Sequence, residues 1–177
     1  MKDHHKGFSL IELLIVVAII LIIAAIAIPN LLRAKIAANQ SSAVQSLRSI
    51  ASGEETFSSI YNDGFTLTLA QLGGPAGAAP TCLNAEMVDE VLSTAPYTRT
   101  GYSFQFTANG TASLTAGIPA ACGASGDSGY SVSATPNLLG ATGINSYCID
   151  ESGVIRVNSV GLVIPAPCSN SGFPPLQ

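Results

Sequence analysis

From Phe8 to Ile28 the chain is apolar at every position except Ser9 and Glu12, a run of 21 residues. A helix of that length rises about 31 Å at roughly 1.5 Å per residue, close to the hydrocarbon thickness of a bilayer. The pattern predicts one membrane-spanning helix. Beyond Pro29 the pattern changes: apolar residues recur at Ile36, Ala43, Val44, Leu47, Ile50, Ala51, Phe57, Ile60 and Tyr61. Asn39, Gln40, Gln45, Arg48 and Glu55 lie largely off that stripe. Spacings of three and four predict that the helix resumes as an amphipathic one, with one face packed on a globular head. Pro29 cannot donate the usual hydrogen bond and clashes with the preceding turn, which predicts a kink or local melting there. Gly53 is a second weak point.

Composition shifts near Asn62. Of the 17 glycines 15 lie beyond it, with nine of the ten prolines, and this ends the helical pattern. Asn62-Asp63-Gly64 is a turn signal, and the stretch from Gly73 to Pro80 reads as a loop. A short helix is expected over Glu86–Leu92. Period-two alternation then predicts strands at Tyr102–Thr107, at Ala112–Ala116 after the Asn109-Gly110 turn, and at Gly129–Ala134. Ser146–Asp150 and Val154–Asn158, joined across Glu151-Ser152-Gly153, read as a further hairpin. Four or five short strands suit a small antiparallel sheet with one face on the helix stripe. The tail from Pro165 to Gln177 is expected to be irregular. The fold class that follows is α+β. Its divisions are a polar leader (residues 1–7), a transmembrane helix (8–29), an amphipathic helix (30–61) and a loop-rich β head (62–177).

Glu12 is the odd residue of the apolar run. A carboxylate inside a hydrophobic span costs about 2.5–3.5 kcal/mol on insertion scales, and such groups usually have a partner and a task. The best available partner is an α-amino group. If the chain were cut between Gly7 and Phe8, the new N-terminus of one copy would fit against Glu12 of a neighbour.

Gly7-Phe8-Ser9-Leu10-Ile11-Glu12, followed by an unbroken apolar run and Pro29, resembles the N-terminal signature of type IV prepilins and their pseudopilin relatives. The resemblance covers about the first 25–30 residues. It implies that a membrane peptidase cuts after Gly7 and methylates the new N-terminal Phe8. It also implies that Glu12 serves filament assembly and that the helix stays continuous but kinked at Pro29. Two plainer readings compete. A secretory signal peptide is supported by Lys2, Lys6 and an Ala25-Ile26-Ala27 cleavage site, but its apolar core runs 7–15 residues and does not carry a glutamate. A plain single-span anchor explains the length but neither Gly7-Phe8 nor Glu12.

Charge and cysteines refine this picture. Without Met1–Gly7 the chain keeps five basic and ten acidic side chains, a net side-chain charge of −5, and no basic footprint for nucleic acid. Cys82, Cys122, Cys148 and Cys168 are even in number, widely spaced and absent from the anchor. That suits two disulfides in an oxidising, extracytoplasmic compartment better than a zinc site. Four cysteines permit three pairings. Cys148–Cys168, stapling the tail to a strand, with Cys82–Cys122, tying the loop to the sheet, is the preferred one.

Candidate chemistry is thin. The only histidines, His4 and His5, lie in the leader, so no catalytic triad has a base in the remaining chain, and no nucleotide-binding fingerprint occurs. Asp150-Glu151 reads as a solvated turn and Glu54-Glu55 as an exposed helix pair. No enzyme, metal or cofactor is expected. The resemblance implies a homo-oligomeric filament subunit, held in the inner membrane and then displayed at the cell surface. Its expected partners are the prepilin peptidase/methylase and an assembly platform with its ATPase. The alternative is a pseudopilin of a type II secretion or competence machine, which is periplasmic; a monomeric anchored binding domain is a third reading.

Overall fold

The computed structural model describes residues 8–62, 64–74, 77, 79–110 and 126–176. Its elements run α1 (Leu10–Tyr61), α2 (Leu69–Leu72), α3 (Glu90–Ser93), β1 (Thr98–Arg99), β2 (Tyr102–Ala108), β3 (Tyr130–Pro136), β4 (Ser146–Asp150) and β5 (Arg156–Asn158), then a 3₁₀ turn at Cys168–Ser171. The chain divides into two compact units, Met1–Lys35 and Ile36–Gln177.

In the first unit, α1 forms from a sequence rich in Ile and Val, residues that fit strands as well as helices. The run contains no turn residue, and in a bilayer only a helix satisfies every backbone group within one segment. The large apolar side chains of this stretch, from Phe8 to Leu32, are all exposed. Pro29 removes the bond to the Ala25 carbonyl, yet α1 is helical on both sides of it.

The second unit is α+β. Its five strands form one sheet in sequence order, β1-β2-β3-β4-β5, every neighbour antiparallel. Phe104 pairs with Ala134 and Phe106 with Val132. Leu47, Ile50 and Phe57 of α1 share one core with Tyr102, Phe104, Val132, Tyr147 and Ile149, and with Leu69, Leu72 and Leu92. Fully burying a side chain of this size stabilises by about 1.5–3 kcal/mol, so this shared core fixes the helix on the sheet.

Several expectations change here. The covered face of α1 runs through Ser46, Gly53 and Glu54 as well as Ile36, Ala43, Leu47, Ile50, Ala51 and Phe57, whereas Ile60 is exposed. Leu47, Ile50, Glu54, Phe57 and Tyr61 form the seam, and Ile60 falls one residue off it. Gly53 is no weak point. A Cβ there would stand 3.1 Å from Val88 Cγ2, so its bareness lets α1 approach the segment before α3.

The helix expected over Glu86–Leu92 is confined to Glu90–Ser93. Glu86 has φ of +53°, and Asp89 takes the N-cap, accepting from the Leu92 amide at 3.1 Å. The unforeseen α2 has Thr68 as its N-cap, whose amide donates to Gln71 Oε1 at 3.2 Å. The T-x-x-Q spacing of a capping box was its signal. The last expected strand is shortened to Arg156–Asn158. The proposed strand at Ala112–Ala116 lies outside the described residues, as do Gly7, His4, His5 and Cys122.

The tail is not irregular throughout. Ile164 is buried with Cys148 and Cys168, and Phe173 packs on them, so this segment covers the sheet face opposite α1. That explains why all five residues of β4 are buried. Farther on, the tail pairs with β5 through an antiparallel Arg156–Pro175 bridge. The Val157 amide donates to the Pro174 carbonyl at 3.0 Å, and the Leu176 amide to that of Ile155 at 2.7 Å.

Candidate functional site

The helix begins at Leu10, which places Ser9 at the N-cap and Glu12 at the third helical position. The Ser9 amide donates to Glu12 Oε2 at 2.9 Å. This is the reaching-back half of a capping box, and it sets a carboxylate over the positive end of the helix dipole. Phe8, immediately before the cap, is 81% exposed. Glu12 is thus an acceptor on the first helical turn, bonded to the amide of the residue next to Phe8, whose nitrogen becomes the chain's amine if Phe8 is the first residue. Every large apolar side chain between them and Ile28 is exposed, so the site is bounded by an uncovered hydrophobic cylinder.

Residues 2–28 match the family model described as the prokaryotic N-terminal methylation motif. The chain is 47% identical over 56 residues to the type IV major pilin protein PilA of Myxococcus xanthus, covering 32% of this chain and 26% of that protein. It is 46% identical over 69 residues to the type IV wide pilus major component PilA4 of Thermus thermophilus, covering 39% of this chain and 52% of that one. The N-terminal segment is similar to that of type IV major pilins. The matched regions span about a quarter and about half of these two relatives. No solved structure matches the chain.

Beyond the matched segment the head is held by covalent and polar ties. Cys148 and Cys168 form a disulfide with Cα atoms 5.8 Å apart, and it joins β4 to the 3₁₀ turn. Cys82 is disulfide-bonded as well, while Cys122 lies outside the described residues. Among the described residues no group of three His, Cys, Asp or Glu side chains is placed to hold a metal ion.

Both acidic pairs behave differently from expectation. Glu55 is exposed but Glu54 is fully buried, which corrects the exposed helix pair. Glu54 Oε2 accepts from the Thr66 amide at 2.9 Å and Oε1 from the Thr66 hydroxyl at 2.5 Å. Burial pushes its carboxyl up from the usual 4.5 to about 7, against the opposing pull of those two bonds. Asp150 is buried too, not part of a solvated turn. Its Oδ1 accepts from the Ser152 amide at 3.1 Å and hydroxyl at 2.5 Å, and its Oδ2 from the Ser169 amide at 2.7 Å. Burial would raise this carboxyl, but the bonds from Ser152 and Ser169 together hold it below the ordinary aspartate value. Both carboxylates hold loops in place.

Proposed function

We propose that this chain is a structural subunit of a type IV pilus, polymerised from the inner membrane through its N-terminal helix. In this reading the leader is removed after Gly7, Phe8 is N-methylated, and the apolar helix holds the subunit in the membrane until assembly. The carrying observation is Glu12, an acceptor at the tip of an otherwise apolar, uncovered helix within a matched methylation motif. Two relatives named as major pilus components support a pilus over a secretion piston.

The physics of assembly is an exchange of solvents. In the membrane the helix is surrounded by lipid, and in the filament by neighbouring helices, so most apolar contact is retained and the step is near balanced. Register then comes from charge. Glu12 already bonds the cap of its own helix, and the lowest-cost polymer state adds the amine of a neighbouring Phe8 beside it. The peptidase, the assembly platform and its ATPase are the partners this reading requires. Intact-mass and N-terminal analysis of the purified protein is expected to find N-methylated Phe8 as residue one, and a start at Met1 or Ile28 overturns the reading. Glu12→Ala is expected to leave processing and membrane insertion intact while abolishing filaments.

A further inference from the structure

Among the described residues of the head, an apolar surface formed by two loops is exposed. Leu138, Leu139 and Ile144 in the β3–β4 loop, and Val160, Leu162 and Val163 after β5, are 49–63% exposed. The two loops touch: a Cβ on Gly161, whose φ is +74°, would collide with Leu139 Cδ1 and the Ile144 carbonyl oxygen. Asn158 Nδ2, at 3.1 Å, and the Ser146 hydroxyl both donate to the Leu162 carbonyl, fixing the second loop against the sheet. Asn39 Nδ2 donates to the Thr142 carbonyl at 2.9 Å, so the first loop is fastened to α1 three residues after this unit begins at Ile36. Neither residues 137–146 nor residues 159–167 include a charged or aromatic side chain.

We propose that this two-loop patch is a contact between copies of the chain, covered in the polymer by a neighbouring subunit; the proposal rests on the pilus-subunit reading above. Isolated exposed aliphatics need no explanation, but six held together by hydrogen-bonded loops mark an interaction surface. Lipid is the poorer occupant, because surfaces that rest on a bilayer rely on Trp, Tyr, Lys or Arg, and both loops lack all four. A charge-free aliphatic patch instead matches the apolar centre of a contact between identical chains. Six half-exposed aliphatic side chains amount to roughly 300–600 Å², the size of the largest patch on an ordinary monomer, which falls short of the roughly 800 Å² per partner that a stable pair needs. The patch therefore adds to helix-driven assembly and does not hold two heads together by itself.

The test uses the full-length chain produced with a type IV pilus assembly system, carrying a photo-crosslinking amino acid at Leu139 or at Leu162. Sheared filaments are expected to give chain-to-chain adducts, and membranes of the Glu12→Ala background are expected to give none. Filaments that form normally but yield only lipid adducts, or no adducts, overturn the proposal alone. Equal adducts in the Glu12→Ala membranes overturn it as well, since the pairing would then not need the polymer. Absence of filaments from the unsubstituted chain defeats the pilus-subunit reading, and the proposal falls with it. As a second arm, Leu139→Asp combined with Leu162→Asp is expected to lower filament yield at least tenfold. Membrane level and the Cys148–Cys168 bond should be unchanged, reporting an intact head; an undiminished yield overturns the proposal.

Discussion

Thr66 donates both its backbone amide and its hydroxyl to the carboxyl of Glu54, twelve positions earlier in the chain and on α1. The connection that follows the helix is thereby bound back onto the helix face it has just left. The carboxyl is neutral when protonated and costly when ionised, because burial dominates over the two donors.

That balance makes head stability depend on pH. An unfolded glutamate loses its proton near 4.5 and the folded Glu54 near 7, so between these values the folded state binds more protons. Stability is therefore full below about 4.5, falls as pH rises towards 7 and levels off above it, with an amplitude on the order of 3 kcal/mol. Glu54→Gln keeps an acceptor for Thr66 and cannot ionise. Denaturant unfolding of the detergent-solubilised chain at pH 5 and pH 8 is expected to show this drop in the parent and a flat response in the variant. An equal slope in both would exclude Glu54 as its source.

Asp150 predicts the opposite sign. Its folded pKa is held below the usual 3.8, so its contribution is present above that value and is lost as pH falls through the lowered one. Asp150→Asn removes the charge from three hydrogen bonds that tie the turn after β4 and the 3₁₀ turn together. A loss of about 1.5–3 kcal/mol at neutral pH is expected. Hydrogen exchange is expected to rise first in the tail beyond Ile164, and uniform exchange across the head would count against this placement.

The Cys148–Cys168 bond closes a separation of 20 residues, worth roughly 3 kcal/mol in the chain-entropy model. Replacing both cysteines by alanine is expected to cost about that much. Combined with Asp150→Asn the effects should be less than additive, because both ties hold the same turn. Unfolding midpoints of the two variants and their combination measure this. Non-reducing peptide mapping of the parent is expected to recover Cys148 with Cys168 and Cys82 with Cys122.

What could be read from the chain, and what could not, divides by range. Glu12 stood out because its cost is local: the apolar residues around it are its sequence neighbours. The strand Ser146–Asp150 has the same bounds in sequence and structure because the Glu151-Ser152-Gly153 turn that ends it is also a local signal. Glu54 was misread because the group that satisfies it, Thr66, arrives only after the chain turns back, and an isolated Glu-Glu pair carries no trace of that. Asp150 fails for the same reason, its third donor being Ser169 from the tail. The four-residue α2 was legible through Thr68 and Gln71, a short-range pairing overlooked among stronger signals.

The pairing of Pro174 and Leu176 with β5 bears on the proposed polymer. A sheet ending in bare strands offers unfilled amides and carbonyls to any like strand, and chains crowded at a membrane meet one another constantly. Here one border is occupied by the chain's own segment at Pro174–Leu176, and the other, β1, is only two residues long. Strand-on-strand stacking between heads is thereby discouraged at both borders, so the proposed assembly would rest on side chains and helices.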